Sequence, residues 1–163
     1  MGAGDGHFAL ATARSDPNAL VIALDASTDR LADGARTALR RRTPNILFVV
    51  APIERLPDAL LGVAGRVTIH FPWGSLLRGV TYGDDPVLAP LASLARAGGR
   101  LDLVLQTADV AVDAFAAHGF VLVDRHVATP AEVSETRSSW AKRLGIGRGR
   151  PAFAFRFARF EDG

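Results

Sequence analysis

The chain has no cysteine among its 163 residues, and only one methionine and one tyrosine. Without a thiol it holds no disulfide, no thiolate nucleophile and no cysteine-ligated zinc. No apolar run reaches the ~20 residues needed to cross a bilayer, so no membrane partner is expected. A Gly-rich segment follows Met1 directly, where a secretory leader would carry basic and then apolar residues. A cytoplasmic location is therefore the expectation. Lysine is almost missing as well: Lys142 is the sole one, so nearly all of the 19 basic residues are arginine.

What is present is a chain able to build a core. Hydrophobic residues make up 48% of it and the mean hydropathy is +0.17, which suits one domain spanning residues 1–163. The net charge is only +2, yet the arginines gather at Arg40-Arg41-Arg42 and at Arg143, Arg148 and Arg150. A guanidinium is a permanently charged planar fork that matches phosphate. Two such clusters in a balanced chain point to a phosphate-rich partner. The first triplet also suits the C-terminus of a helix, whose dipole favours cations.

Apolar periodicity alternates between helix and strand. Phe8-Ala9-Leu10-Ala11 opens a helix, and Val21-Ile22-Ala23-Leu24 is a short buried strand. Thr28 to Arg42 reads as an amphipathic helix with Ser27 as its N-cap. Strands are expected over Ile46–Val50, Val67–Phe71, Arg100–Leu105, Phe120–Val127 and Phe153–Phe160. The last alternates, with Phe153, Phe155 and Phe157 on one face. Helices are expected over Pro86–Ala97, closed by Gly98-Gly99, and over Val110–His118. Gly145 to Pro151 reads as a flexible basic linker.

The first residues carry a nucleotide-binding signature. Gly2-Ala3-Gly4-Asp5-Gly6 precedes a helix, a strand follows, and Asp25 ends that strand about 20 positions on. Glycines let backbone approach a ligand, and a carboxylate can accept from both ribose hydroxyls. The spacing G-x-G-x-G differs from the G-x-G-x-x-G that cradles a pyrophosphate. That favours S-adenosylmethionine, which has a ribose and no phosphate, although a generic glycine turn stays open. The strand that should feed this turn would lie before Met1, so the first strand is expected to be truncated.

Phe71-Pro72-Trp73-Gly74 follows the apolar run Val67-Thr68-Ile69-His70. The C-terminal edge of a parallel strand is where ligands bind in an open α/β sheet. A Pro–aromatic–Gly turn there holds a flat ring over the cleft, as a stacking platform for a nucleobase. The alternative is a tryptophan folded back as a lid on the core. His7, His70, His118 and His126 are scattered without ligand spacing, and Ser75 lacks a nucleophile elbow. Asp84-Asp85-Pro86 reads as a turn and helix cap, and Glu132 and Glu135 as a solvated helix face.

Taken with Asp25-Ala26-Ser27 and Asn45 to Ala51, the glycine turn and the run Phe71 to Gly79 resemble a known family. These are the aminoglycoside-resistance 16S rRNA methyltransferases that modify N1 of adenine 1408. The likeness runs from Gly2 to about Gly145, and its specific part is F-P-W-G-S-L-L. It implies a class I methyltransferase fold: α/β, Rossmann-like, a doubly wound and mostly parallel sheet with a C-terminal antiparallel hairpin. It also implies S-adenosylmethionine as cofactor.

Carried over residue by residue, the resemblance places Gly2 and Gly4 at the methionine end of the cofactor and Asp25 at its ribose. Ala26 and Phe71 complete that set, with Ile53 and Glu54 near the adenine. Trp73 and Trp140 would sandwich the flipped base, with Ser138 beside the methyl-transfer site. Arg40, Arg41, Arg42, Arg78, Lys142, Arg143, Arg148 and Arg150 would hold 16S rRNA in the small ribosomal subunit. A monomer is expected. The chain departs from the family in the acidic residue two places before the first glycine, which would precede Met1. It departs again in having only Gln106 to Asp109 where the family has a longer insertion. Methylation of another RNA or a small molecule, and RNA binding without catalysis, are the alternative readings.

Overall fold

The computed structural model describes residues 1–143, 145, 146 and 149–160. It comprises two compact units, Met1–Pro52 and Ile53–Gly163. In the first, helix α1 (His7–Ser15) leads to strand β1 (Val21–Asp25), helix α2 (Thr28–Arg40) and strand β2 (Ile46–Val50). β1 and β2 run parallel, Val21 facing Ile46 and Asp25 facing Val50. Ala9, Leu10 and Ala13 of α1 pack with Ala23 of β1, with Leu31 and Ala38 of α2, and with Ile46. Ser27 caps α2 as its spacing predicts, accepting from Arg30 N–H.

α2 stops at Arg40, two residues short of the expected end. Arg42 takes a left-handed φ of 50°, and the N–H groups of Arg42 and Thr43 bond the carbonyls of Leu39 and Ala38. That is a helix stop that glycine ordinarily supplies.

The second unit holds strand β3 (Ala64–His70), helices α3 (Gly74–Tyr82) and α4 (Asp85–Leu94), and strand β4 (Ala95–Leu105). Helix α5 (Val112–Ala117), strand β5 (Phe120–Val127), helices α6 (Pro130–Glu135) and α7 (Ser139–Arg143), and strand β6 (Phe153–Arg159) follow. The sheet order is β3-β4-β6-β5. β3 and β4 are parallel, and β6 runs antiparallel to both β4 and β5, so three strands run one way and β6 returns between two of them. This is the expected α/β sheet with its antiparallel C-terminal hairpin.

Alternation decides the two faces of this sheet. Leu101, Leu103 and Leu105 of β4 face Phe157, Phe155 and Phe153 of β6. Phe157 stacks on Phe115 at 4.5 Å between centroids, and Phe120 meets Phe115 edge-on at 6.1 Å. Each such fully buried side chain contributes about 1.5–3 kcal/mol. On the opposite face Asp102 accepts from Arg66 Nε at 2.7 Å and from Arg156 Nε at 3.0 Å, with Arg100 Nε 3.3 Å away. Three arginines from three strands therefore share one largely buried carboxylate.

The expected helix over Pro86–Ala97 ends earlier, at Leu94. Ala95 is already extended and pairs with Ala64, and the Ser93 carbonyl is taken by Gly62 N–H. Sheet pairing replaces the expected glycine stop. The helix expected over Val110–His118 narrows to Val112–Ala117, with Ala111 N–H bonded to the Val80 carbonyl. Within the expected linker Gly145 to Pro151, the described residue Ile146 is buried and forms a bridge with Arg150.

Candidate active site

In the first unit the glycine turn and the end of β1 are fastened to each other. Gly4 N–H donates to Asp25 Oδ2 at 2.8 Å, and Ser27 N–H donates to Asp25 Oδ1 at 2.9 Å. Ala3 N–H reaches the Leu24 carbonyl at 2.9 Å. Each carboxylate oxygen has a second lone pair, so Asp25 keeps two acceptor sites for a pair of hydroxyls. Gly4 sits at φ 55° and a Cβ there would meet nothing within 4 Å, so the turn leaves space beside its backbone. Gly2 and Ala26 are exposed at either end of this arrangement. A backbone cradle with a half-buried carboxylate beside it fits a ribose-bearing cofactor.

A glycine that sequence reading missed holds the turn in place. Gly34 lies on α2, and a Cβ there would come within 2.7 Å of the Asp5 carbonyl oxygen and 2.8 Å of Phe48. Asp5 lies 29 residues before it in sequence and Phe48 14 after it, so only the folded unit shows the need.

The second unit carries the aromatic residues. β3 ends at His70, whose imidazole is pushed down to about 4 by burial, with the positive charge of Arg66 acting the same way. It is therefore neutral near pH 7. Phe71 then turns left-handed at φ 46°, its N–H bonded to the Val104 carbonyl at 2.7 Å. A bulky residue seldom adopts that conformation. Burial holds it there, because Phe71 packs with Val104, Ala128, Val133, Ala141, Ile146 and Ala152. Trp73, two residues on, is 62% exposed. The lid alternative is thereby overturned: Phe71 fills the core and Trp73 stays outside it.

Trp140 is reached from the same cluster. Ala141 is buried beside Phe71, while Trp140 is 44% exposed at the start of α7. Ser138 caps this short helix, its Oγ accepting from Ala141 N–H at 3.1 Å. Before it, buried Thr136 donates its hydroxyl to the Val133 carbonyl and accepts from Ser138 N–H. Trp140, Gln106, Ile146, Arg150 and Pro151 line an open cleft of about 420 Å³. Gln106 did not stand out in the sequence, because its place depends on register between strands distant along the chain.

These features now meet the comparisons with known proteins. The NpmA family, 16S rRNA (adenine(1408)-N(1))-methyltransferase, matches residues 1–114. The chain belongs to this family of 16S rRNA methyltransferases. It is 33% identical over 175 residues to the 16S rRNA (adenine(1408)-N(1))-methyltransferase of Streptoalloteichus tenebrarius, covering 92% of this chain and 80% of that one. The Escherichia coli protein of the same name is 27% identical over 180 residues, covering 94% and 82%. Among solved structures, the 16S rRNA methyltransferase KamB aligns with a TM-score of 0.87 and 30% identity, over 98% of this chain and 86% of its own. A tryptophan-to-alanine variant of the Catenulisporales acidiphilia enzyme, crystallised with the cosubstrate SAM, aligns with a TM-score of 0.87 and 28% identity, over 99% and 84%.

The remaining predicted residues of this methyltransferase fall as follows. Ile53 is buried and Glu54 exposed in the turn that opens the second unit. Arg40, Arg41 and Arg42 are exposed at the end of α2, with Arg40 Nη2 donating to Thr37 Oγ1 at 3.1 Å. Arg78 is exposed and pairs with Asp84 at 3.0 Å. Asp84 occupies the N-cap position of α4 without capping it, so the expected cap is an ion pair instead. Lys142, Arg143 and Arg150 are exposed, and Arg148 lies outside the described residues. Glu132 is not a plain solvated residue: with Thr129 it forms a capping box, and it also reaches His126.

Proposed function

We propose that this methyltransferase transfers the methyl group of S-adenosylmethionine to N1 of adenine 1408 in the decoding site of 16S rRNA, giving aminoglycoside resistance. The observation that carries the reading is the pair of exposed tryptophans whose neighbours, Phe71 and Ala141, are buried in one cluster. Such anchoring holds two flat rings on rigid supports, as stacking on an extruded base demands.

The cofactor supplies an electrophilic methyl group on a sulfonium. Adenine N1 carries a free lone pair at neutral pH, so no proton has to be removed before attack. Positioning then accounts for the acceleration. Gly2 and Gly4 offer backbone beside the methionine end, and Asp25 accepts from the ribose hydroxyls, with Ala26 alongside. Ile53 and Glu54 border the cofactor adenine. Phe71 contributes backbone, its ring being spent in the core. Trp73 and Trp140 clamp the target base, and Ser138 fixes α7 beside the transfer site. A cationic methylated base also gains from aromatic walls by about 1 kcal/mol.

Arg40, Arg41, Arg42, Arg78, Lys142, Arg143, Arg148 and Arg150 hold rRNA phosphates of the small subunit in this account. The two units work as a single domain, and the enzyme acts as a monomer in the cytoplasm. The test is single-turnover transfer of labelled methyl to 30S subunits, with Trp73→Ala and Trp140→Ala alongside. Transfer by the wild type that both variants reduce supports the reading. Variants as active as the wild type contradict the clamp, and an inactive wild type that binds S-adenosylmethionine contradicts the substrate.

A further inference from the structure

Gln106 stands at the carboxyl edge of the sheet, next to the strand that leads to Trp73 and in the cleft that Trp140 lines. In the parallel ladder His70 faces Val104, and Phe71 N–H bonds the Val104 carbonyl, so the residue two beyond Val104 lies beside the turn that presents Trp73. On the other side Leu105 faces Phe153, so the same residue adjoins the Pro151 end of β6. Its side chain is exposed and lines the cleft with Trp140, Ile146, Arg150 and Pro151. Carboxyl ends of parallel strands are where α/β proteins place ligand contacts.

Of these five residues only Gln106 joins a donor and an acceptor in one planar group. Trp140 and Arg150 only donate, and Ile146 and Pro151 are apolar. An amide of that kind is the complement of adenine's N6–H and N7, whereas guanine offers two acceptors on the same edge. Reading the base from N6 and N7 also leaves N1 clear on the neighbouring edge.

We propose that Gln106 is the residue that selects adenine, its Oε1 accepting from N6–H and its Nε2 donating to N7 of the extruded base. The inference rests on the function proposed above. It makes Gln106 a specificity residue rather than a stacking or phosphate contact.

The test uses 30S subunits reconstituted with adenosine or with 7-deazaadenosine at the target position. Single-turnover methylation is followed together with calorimetric binding of S-adenosylmethionine. Gln106→Ala is expected to slow methylation of the adenosine substrate about tenfold, in line with one lost bidentate contact, and to leave cofactor affinity unchanged. Replacing N7 by C–H should slow the wild type but not slow Gln106→Ala further. Gln106→Glu, which turns a second acceptor towards N7, should prefer the 7-deaza substrate and so reverse the wild-type preference. A merely structural glutamine would not produce that reversal. Equal wild-type and Gln106→Ala rates, or an unreversed preference in Gln106→Glu, would overturn the inference while leaving methylation itself established. An inactive wild type would overturn the underlying function and this inference with it.

Discussion

His126 joins β5 to the first turn of α6: its Nε2 lies 2.9 Å from Glu132 Oε1 and its Nδ1 3.1 Å from Asp124 Oδ2. The bond to Glu132 is the main cause that raises His126 above its ordinary 6.5. Glu132 is held below its ordinary 4.5, first by the Thr129 backbone N–H and then by His126. A raised histidine stabilises the fold below its unfolded pKa and loses that effect as pH climbs through its folded one. A lowered carboxylate stabilises above its unfolded pKa and loses the effect as pH falls through its folded one. The pair is therefore strongest from about pH 4.5 to 6.5. Both side chains are partly exposed, so salt weakens it. Urea unfolding of wild type and His126→Gln should differ most in that window and converge outside it; a pH-independent difference contradicts the pairing.

Trp73→Ala and Trp140→Ala should each cost methylation the ~1–3 kcal/mol of a lost base stack. Both rings are exposed, so the thermal midpoint should barely move. A large drop in midpoint would mean that the tryptophans serve the core instead.

Arg42→Gly separates stability from binding at one position. Glycine removes the penalty of a left-handed side-chain-bearing residue, and the fold should gain about 1 kcal/mol. Affinity for 30S subunits should fall, because a phosphate contact is lost. Reduced stability would contradict the helix-stop geometry, and unchanged affinity would contradict the phosphate contact.

Gly34→Ala tests the support of the cofactor cradle from behind. Alanine improves helix propensity by about 1 kcal/mol, yet its Cβ would press on the Asp5 carbonyl and Phe48. We expect weaker S-adenosylmethionine binding by calorimetry from a residue that need not touch the cofactor. Unchanged affinity would show that the glycine turn can shift freely.

Asp102→Ala should lower stability by about 2–3 kcal/mol, because three arginines lose their shared carboxylate. Denaturant titration reads the loss directly. A change below the error of that titration would mark the cluster as surface charge.

Much of the candidate site's local geometry was legible because its signals are local. Phe71 to Gly74 follows an apolar strand, and Asp25 stands at the right spacing from the glycine turn, so neighbours in sequence define both. What escaped depends on partners far along the chain. Leu94 ends α4 because Ala95 pairs with Ala64. Asp102 gathers arginines from three strands through register alone. Gln106 acquires meaning only once β3 and β6 are known to flank β4.

The most direct measurement is primer extension across the decoding site of 16S rRNA after 30S subunits have been incubated with this enzyme and S-adenosylmethionine. A methyl group on N1 blocks Watson–Crick pairing, so reverse transcriptase should halt at adenine 1408. The halt should vanish without the cofactor and weaken with the Trp140→Ala variant. Labelled methyl on the rRNA with no halt there, or with a halt at another nucleotide, would contradict the account.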